Sequence, residues 1–314
     1  MKQLFEWVER SHADATGGTW TPIERGGSDR LFWRGRGAAQ GLVALSYGPE
    51  KSENANYAAC AVFLRTLGVS VPRVLAHDPE QRFLLLEDAG AEDLWAHREA
   101  EWPRRRELYL AALAQAARLH AADPAAAESA GLLQAPFDES LYRWEQEYFR
   151  EHFLRAEFSR KTAEVLAAQA RHLAAGPRVV LHRDFQSQNI MLRDGGVFLI
   201  DFQGMRAGRA GYDVASLLYD PYVPMTADER NELAAGYARL AGRDDADVWN
   251  DEFRACARQR LMQALGAYGF LGRVKGRTHF LTHIPLAAER LAVLCEDDPA
   301  WQPVAEVVRE AAAI

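Results

Sequence analysis

Residues 181–203 read LHRDFQSQNIMLRDGGVFLIDFQ. Asp184, Asn189 and Asp201 place three oxygen-bearing side chains around two short apolar runs. Groups of these types accept protons and ligate hard cations. An ionised aspartate is acceptor-only, and carboxylate and amide oxygens are the ligands Mg2+ prefers. Ile190-Met191-Leu192-Arg193 and Val197-Phe198-Leu199-Ile200 favour strands, and Asp194-Gly195-Gly196 supplies turn chemistry between them. Folding symmetrically about Gly195 sets Asn189 opposite Asp201 at the open end of a hairpin. Asp184 lies five residues before Asn189, in the loop leading into the first strand. The spacing therefore predicts one site at one edge. The plainer reading is an Asx turn at Asp184 and a hydrogen bond between Asn189 and Asp201.

The elements that must hold this edge can be read outward from it. With 314 residues, 48% hydrophobic and 26% charged, the chain suits one two-lobed unit, or two close domains, with a large core. A net charge of -7 argues against nucleic acid as a partner. Cys60, Cys256 and Cys295 are far apart and fit reduced, apolar core positions in a cytoplasmic protein. The opening MKQLFEWVER carries Glu6 and Glu9 within its apolar patch, unlike a signal peptide, and no run approaches a membrane span.

Trp20–Glu24, Leu31–Arg36, Leu42–Tyr47, Val71–Leu75 and Phe83–Leu86 read as five strands, with a helix over 53–67 that ends at Gly68. After the polar break Glu87-Asp88-Ala89-Gly90, helical periodicity takes over. The pattern predicts helices over 104–122, 141–158, 228–241, 253–270 and 285–295, and no internal repeat. Expected boundaries are therefore 1–88 for a nucleotide-binding N-lobe and 89–314 for a C-lobe carrying the catalytic loop.

The outline and the 181–203 segment together resemble the protein-kinase-like superfamily, in particular its aminoglycoside phosphotransferase branch. Within that branch the chain is similar to the amino-sugar kinases of cell-wall recycling, from Gly26 to about Leu286. His182-Arg183-Asp184 followed by Asn189 matches the catalytic-loop spacing, and Ile200-Asp201-Phe202 matches the metal-binding segment. The resemblance implies an α+β, bilobal protein-kinase-like fold. It has a small five-stranded antiparallel N-lobe with one helix and a larger, mainly helical C-lobe. It also implies an ATP- and Mg2+-dependent kinase phosphorylating an amino-sugar hydroxyl, in the nearest relatives the anomeric hydroxyl of N-acetylglucosamine or N-acetylmuramate. Asp184 would take the acceptor proton, and Asn189 with Asp201 would hold Mg2+.

Other roles follow from the same resemblance. Gly27, Ser28 and Arg30 in the GGSDR loop would meet phosphate oxygens, although such a loop is also an ordinary hairpin turn. Glu87 and Asp88 would lie where the main chain meets adenine. His182 would orient the catalytic loop. Asp213 would buttress that loop through backbone amides, with an ordinary helix N-cap as the alternative. Gln186 and Gln203 would bond a sugar or its N-acetyl group, or else cap nearby backbone. On YRWEQEYFREHFL, Glu145 and Glu147 point to different helix faces, so one can line an acceptor cleft; Glu145 is the choice, and a solvated acidic face over a core of Tyr148, Phe149 and Phe153 is the alternative. Arg260 would reach toward the acceptor.

Departures from the protein-kinase pattern narrow the reading. The third strand, Leu42-Val43-Ala44-Leu45-Ser46-Tyr47, has no lysine, an omission the cell-wall sugar kinases share. Arg30, Arg34 or Arg36 would supply the charge. No APE-type activation segment follows Asp201, so no protein substrate is expected. A GxxxxGK[ST] loop is absent, which excludes a P-loop enzyme. Two rivals stand beside the amino-sugar kinase. One is a phosphotransferase for aminoglycosides or choline, with Trp95, Trp144 and Tyr148 as possible cage members. The other is a nucleotide-binding pseudokinase scaffold.

Overall fold

A computed structural model of the chain describes residues 1–23 and 30–313. By internal contacts it divides into two compact units. The first comprises Met1–Asp93 with Asn189–Gly204, and the second Leu94–Gln188 with Met205–Ile314. The expected division left everything beyond 88 together; the structure instead groups the Asn189–Gly204 hairpin with the first unit.

The first unit opens with α1 (Lys2–Ser11), followed by β1 (Thr19–Ile23), β2 (Leu31–Arg36) and β3 (Leu42–Ser46). After α2 (Tyr57–Thr66) come β4 (Val74–Asp78), β5 (Phe83–Glu87) and the short β6 (Glu92–Asp93). Strands β1 to β5 form one antiparallel sheet in the order β1-β2-β3-β5-β4. Four consecutive residues of β3, Leu42 to Leu45, are buried, which is why that run is apolar without alternation. Pro72 has no N–H to give a neighbouring strand, and β4 starts two residues after it rather than at Val71.

One helix was expected here, and the described residues hold two α-helices. In α1, Leu4, Trp7 and Val8 recur at helical spacing and are buried against Trp33, Leu42, Ala44 and Leu85. Phe5 stacks on Trp20 at 5.5 Å and Trp7 tilts against Phe83 at 5.8 Å. Each such side chain contributes about 1.5–3 kcal/mol on burial. Gly68, φ 73°, ends α2, and the N–H of Val69 reaches back to the carbonyl of Leu64 at 3.0 Å.

The second unit holds nine helices among the described residues. They are α3 (Trp102–His120), α4 (Pro124–Ser129), α5 (Glu139–Phe149), α6 (Arg160–Ala175), α7 (Ala210–Leu218), α8 (Ala227–Leu240), α9 (Ala246–Gly269), α10 (Ile284–Glu296) and α11 (Gln302–Ala312). The long α9 is the axis on which α5, α7 and α10 pack. Gly211 lets α7 approach closely, since a Cβ there would stand 3.1 Å from Cys256 Sγ. Strands Val179–Leu181 and Arg206–Gly208 pair antiparallel, so one end of this ribbon leads directly into residues 182–188. No helix among the described residues is long and apolar enough to cross a membrane.

Candidate active site

The hairpin strands are Ile190–Arg193 and Gly196–Leu199, and the turn holds two residues, not three. Asp194 (φ 52°) and Gly195 (φ 77°) both adopt positive φ, the requirement of the tight turn that matches strand twist. The register pairs Ile190 with Leu199 and Arg193 with Gly196. Asn189 consequently lies opposite Ile200, whose N–H its carbonyl accepts at 3.0 Å, and not opposite Asp201 as symmetry about Gly195 predicted. Asp201 stands one residue further out with φ 65°, a conformation rare for a residue with a Cβ.

Its carboxylate is held from two sides. Arg30 Nη2 lies 2.6 Å from Asp201 Oδ1, and Gln203 Nε2 donates to the same oxygen at 2.8 Å. Arg30 is nearly buried, whereas Asp201 retains 32% side-chain exposure. Phe202 is fully buried against Tyr57 of α2 at 4.6 Å, which fixes the backbone on which Asp201 sits. Gln203 is also buried and turned to Asp201, so a direct sugar contact by its side chain does not match its position. Gly27 and Ser28 lie outside the described residues.

Glu87 and Asp88, expected beside adenine, are tied into the first unit. Arg34 grips Asp88 with two nitrogens, at 2.7 and 3.1 Å, and also reaches the carbonyl of Gly90 at 2.6 Å. Arg193 bonds Glu87 Oε1 at 2.8 Å and the carbonyl of Asp88. Burial pushes Glu87 up, but hydrogen bonds from Arg193 and the Arg73 N–H outweigh it and hold the carboxyl below its ordinary value. The N–H groups of Glu87 and Asp88 go to the carbonyls of Arg73 (2.9 Å) and Gly41 (2.8 Å). Neither N–H is open to a base; Ala89 is the neighbouring residue whose main chain shows no partner among the described residues. Of the three arginines offered in place of the third-strand lysine, Arg34 is committed to Asp88, Arg36 is exposed, and Arg30 stands at Asp201.

In the second unit the loop around Asp184 is clamped at both ends by aspartates. Asp213 Oδ2 accepts the N–H of His182 at 2.7 Å and Oδ1 that of Arg183 at 2.9 Å. His120 also meets Asp213 Oδ2 at 3.1 Å and is itself bonded to Tyr237. The N-cap of α7 is Arg209, so Asp213 is not a cap; its carboxylate faces the loop. At the other end Asp220 Oδ2 accepts from the N–H of Ser187 at 3.0 Å and from its hydroxyl. Burial raises the Asp220 carboxyl, opposed by those hydrogen bonds. Asp220 was missed from sequence, although it follows Asp213 by seven residues, about two helical turns.

Between the clamps, Arg183 takes φ 78° and Asp184 keeps 41% side-chain exposure. The N–H of Gln186 bonds the carbonyl of Asp184 at 2.9 Å, which tightens the loop and leaves the Gln186 side chain half-buried. Arg260 on α9 donates from Nε to Ser216 Oγ at 3.0 Å. Burial lowers its pKa, but Tyr212, Asp184, Tyr268 and Glu145 outweigh that, so the guanidinium stays charged in the field of Asp184. Glu145 does not line a cleft. It is 4% exposed, accepting from Tyr212 Oη at 2.6 Å and Gln259 Nε2 at 2.9 Å. Its carboxyl is pushed up by burial against those two bonds.

An aspartate presented from a doubly clamped loop, and a second aspartate with an asparagine at the hairpin base, suit phosphoryl transfer. The chain belongs to the phosphotransferase enzyme family, which matches residues 19–251. Its five-stranded antiparallel sheet and helical second unit make up a protein-kinase-like α+β fold. The chain is 27% identical over 281 residues to the N-acetylmuramate/N-acetylglucosamine kinase of Pseudomonas aeruginosa, covering 84% of this chain and 80% of that protein. In structure it resembles a choline/ethanolamine kinase family protein from Mesorhizobium loti, with TM-score 0.65 at 18% identity over 97% and 99% of the two chains. A streptomycin–ATP–APH(2")-IIa ternary complex is similar at TM-score 0.59 and 12% identity, over 90% and 96%. Those structural likenesses define the fold.

Proposed function

We propose that the protein transfers the γ-phosphate of ATP to a hydroxyl of an amino sugar, with N-acetylglucosamine or N-acetylmuramate accepting at the anomeric oxygen. The observation that carries this reading is the presentation of Asp184, half-exposed, from a loop whose two ends are bonded to Asp213 and Asp220. A group that must receive a proton at a fixed point needs such a frame, because misplacement by an ångström costs rate steeply. Asp184 would accept the acceptor hydroxyl proton and hold the oxygen in line.

The donor set fits a hard divalent cation. Asp201 and Asn189 offer carboxylate and amide oxygens, and Mg2+ binds through one or two such groups plus substrate phosphates. Asp201 already carries positive charge against it, from Arg30. When bound, Mg2+ would neutralise charge on the transferring phosphate. Asp201 and Asn189 would hold it, Gln203 would orient Asp201, and Arg30 would supply the cation that the third strand lacks. The main chain at Ala89 is the site offered to the base.

The acceptor side supports an uncharged or anionic sugar over a cationic antibiotic. Arg183 lies 3.9 Å from Asp184, and Arg260 is held charged in its field. Two guanidiniums beside the base oppose a polyamine, whereas the carboxylate of N-acetylmuramate would meet a counter-charge. The three aromatic residues considered for a choline cage have other contacts. Trp144 stacks on Tyr148 at 5.1 Å, while Trp95 is capped by the guanidinium of Arg98 at 3.8 Å. A cation already over the ring leaves that face unavailable to a quaternary ammonium. The name of the Pseudomonas aeruginosa relative agrees with this choice.

The test is ADP release from ATP and Mg2+ across N-acetylglucosamine, N-acetylmuramate, glucosamine, kanamycin and choline. Stimulation by the N-acetylated sugars alone is expected. Turnover with kanamycin or choline in their place would reassign the acceptor, and tight ATP binding without turnover on any acceptor would favour a scaffold.

A further inference from the structure

The helical unit contains a cavity of about 940 Å3 between α8, α9, α10 and the turn after α7, and none of residues 182–187 lines it. Small-molecule sites are commonly about 300–1,000 Å3. Three arginines from three helices converge there: Arg230 on α8, Arg254 on α9 and Arg290 on α10. Burial raises the pKa of the Tyr219 phenol, and the charges of all three arginines oppose that shift, which sets them around one hydroxyl. Arg230 lies 4.8 Å over the Tyr219 ring.

These arginines make no direct ion pair with a carboxylate among the described residues, although the field of Asp220 acts on Arg290. Arg290 is only 7% exposed, and donates to the carbonyls of Asp220 at 2.9 Å and Val223 at 2.8 Å. Carbonyls take its hydrogens but carry no charge, and burial together with Arg230 pushes its pKa down to about 10 against the opposing field of Asp220. Arg230 donates to the carbonyl of Met225, and its Nε is buried with no hydrogen-bond partner among the described residues. None of the three arginines has a carboxylate oxygen within 4.0 Å among those residues. Glu229, in the same lining, is already bonded to Arg105, and Glu289 and Asp297 are exposed. A buried charge without a direct ion-pair partner, as at Arg290, is costly, and like charges beside it add to the cost.

We infer that this cavity is a second ligand site, for a phosphate-bearing small molecule. A phosphate dianion offers three terminal oxygens and up to two charges, which match three guanidinium forks better than one carboxylate does. The site is joined to the catalytic loop by bonded groups. Arg290 holds the main chain of Asp220, whose side chain holds Ser187. The inference does not depend on which acceptor the enzyme uses.

Inorganic phosphate titrated calorimetrically into the full chain, with the nucleotide site filled by a non-hydrolysable ATP analogue, tests it. One phosphate per chain is expected to bind under those conditions. Arg254→Glu, a change at an exposed side chain that leaves the core intact, is expected to weaken binding at least about tenfold, and Arg230→Gln to weaken it similarly. Loss of all phosphate binding once the analogue saturates the protein would overturn the proposal. So would unchanged binding in Arg254→Glu, which remains readable even where Arg230→Gln fails to fold.

Discussion

Arg30 Nη2 and Asp201 Oδ1 lie 2.6 Å apart across 171 residues of sequence. The pair joins the residue before β2 to the second residue after the hairpin strand, and both belong to the first unit. It places a fixed cation at the carboxylate proposed to hold Mg2+, in a chain whose third strand has no lysine. A guanidinium presents a planar fork and stays charged under all ordinary conditions, so its role there differs from that of a mobile ammonium.

Arg30→Ala is therefore expected to raise KM for ATP by about 10- to 100-fold, the equivalent of losing one charge-assisted hydrogen bond of about 1.5–3 kcal/mol. Arg30→Lys should recover part of the loss. Steady-state kinetics at saturating acceptor would check this, and an unchanged KM would remove Arg30 from nucleotide handling.

Asp184→Asn keeps size and shape but removes the proposed proton acceptor. Turnover should fall by about 10²- to 10⁴-fold, the usual range for a lost general base. ATP affinity and melting temperature should stay near those of the parent. Near-parental turnover would exclude Asp184 as the base.

Asp213→Ala would strand the N–H groups of His182 and Arg183 together with the ring of His120, all buried or partly buried. The expected loss is about 2–5 kcal/mol of stability, with a larger fall in kcat than in nucleotide affinity. Asp213→Asn retains one acceptor oxygen and should fall between. Urea unfolding beside kinetics separates the two effects.

Glu145 carries a carboxyl pushed above its ordinary value of 4.5 by burial. For an acid raised in the folded state, the stabilising contribution is complete below the unfolded value and disappears as pH rises through the folded one. The melting temperature of the parent should thus decline from about that ordinary value upward more steeply than that of Glu145→Gln. The amide introduced by that substitution is neutral at every pH and could still bond Tyr212 and Gln259. Superimposable pH profiles for the two proteins would refute the assignment.

Much of the first unit was readable because its signals are local. Apolar β-favouring runs, a Gly-rich reversal and a helix stopped by Gly68 depend on neighbours in the chain. Even so, α1 was passed over, although Leu4, Trp7 and Val8 carry helical spacing. The hairpin register was displaced by one residue because Asp194, not only Gly195, accepts positive φ. In the second unit, helical period correctly implied that Glu145 and Glu147 face different ways. Period alone does not say whether the inner face meets a cleft or, as here, Tyr212 and Gln259.

By itself the sequence determined the chemistry of the groups proposed to react: Asp184, Asn189 and Asp201 at spacings a hairpin and its entry loop can present, and a third strand without lysine. Tertiary structure alone decided what holds them. Arg30 reached Asp201, Asp213 and Asp220 closed on the 182–187 loop, and Glu145 withdrew into the core. The reason is physical: turns and strands respond to residues a few positions away. Pairing a buried charge depends on which distant side chain packing delivers within about 3 Å.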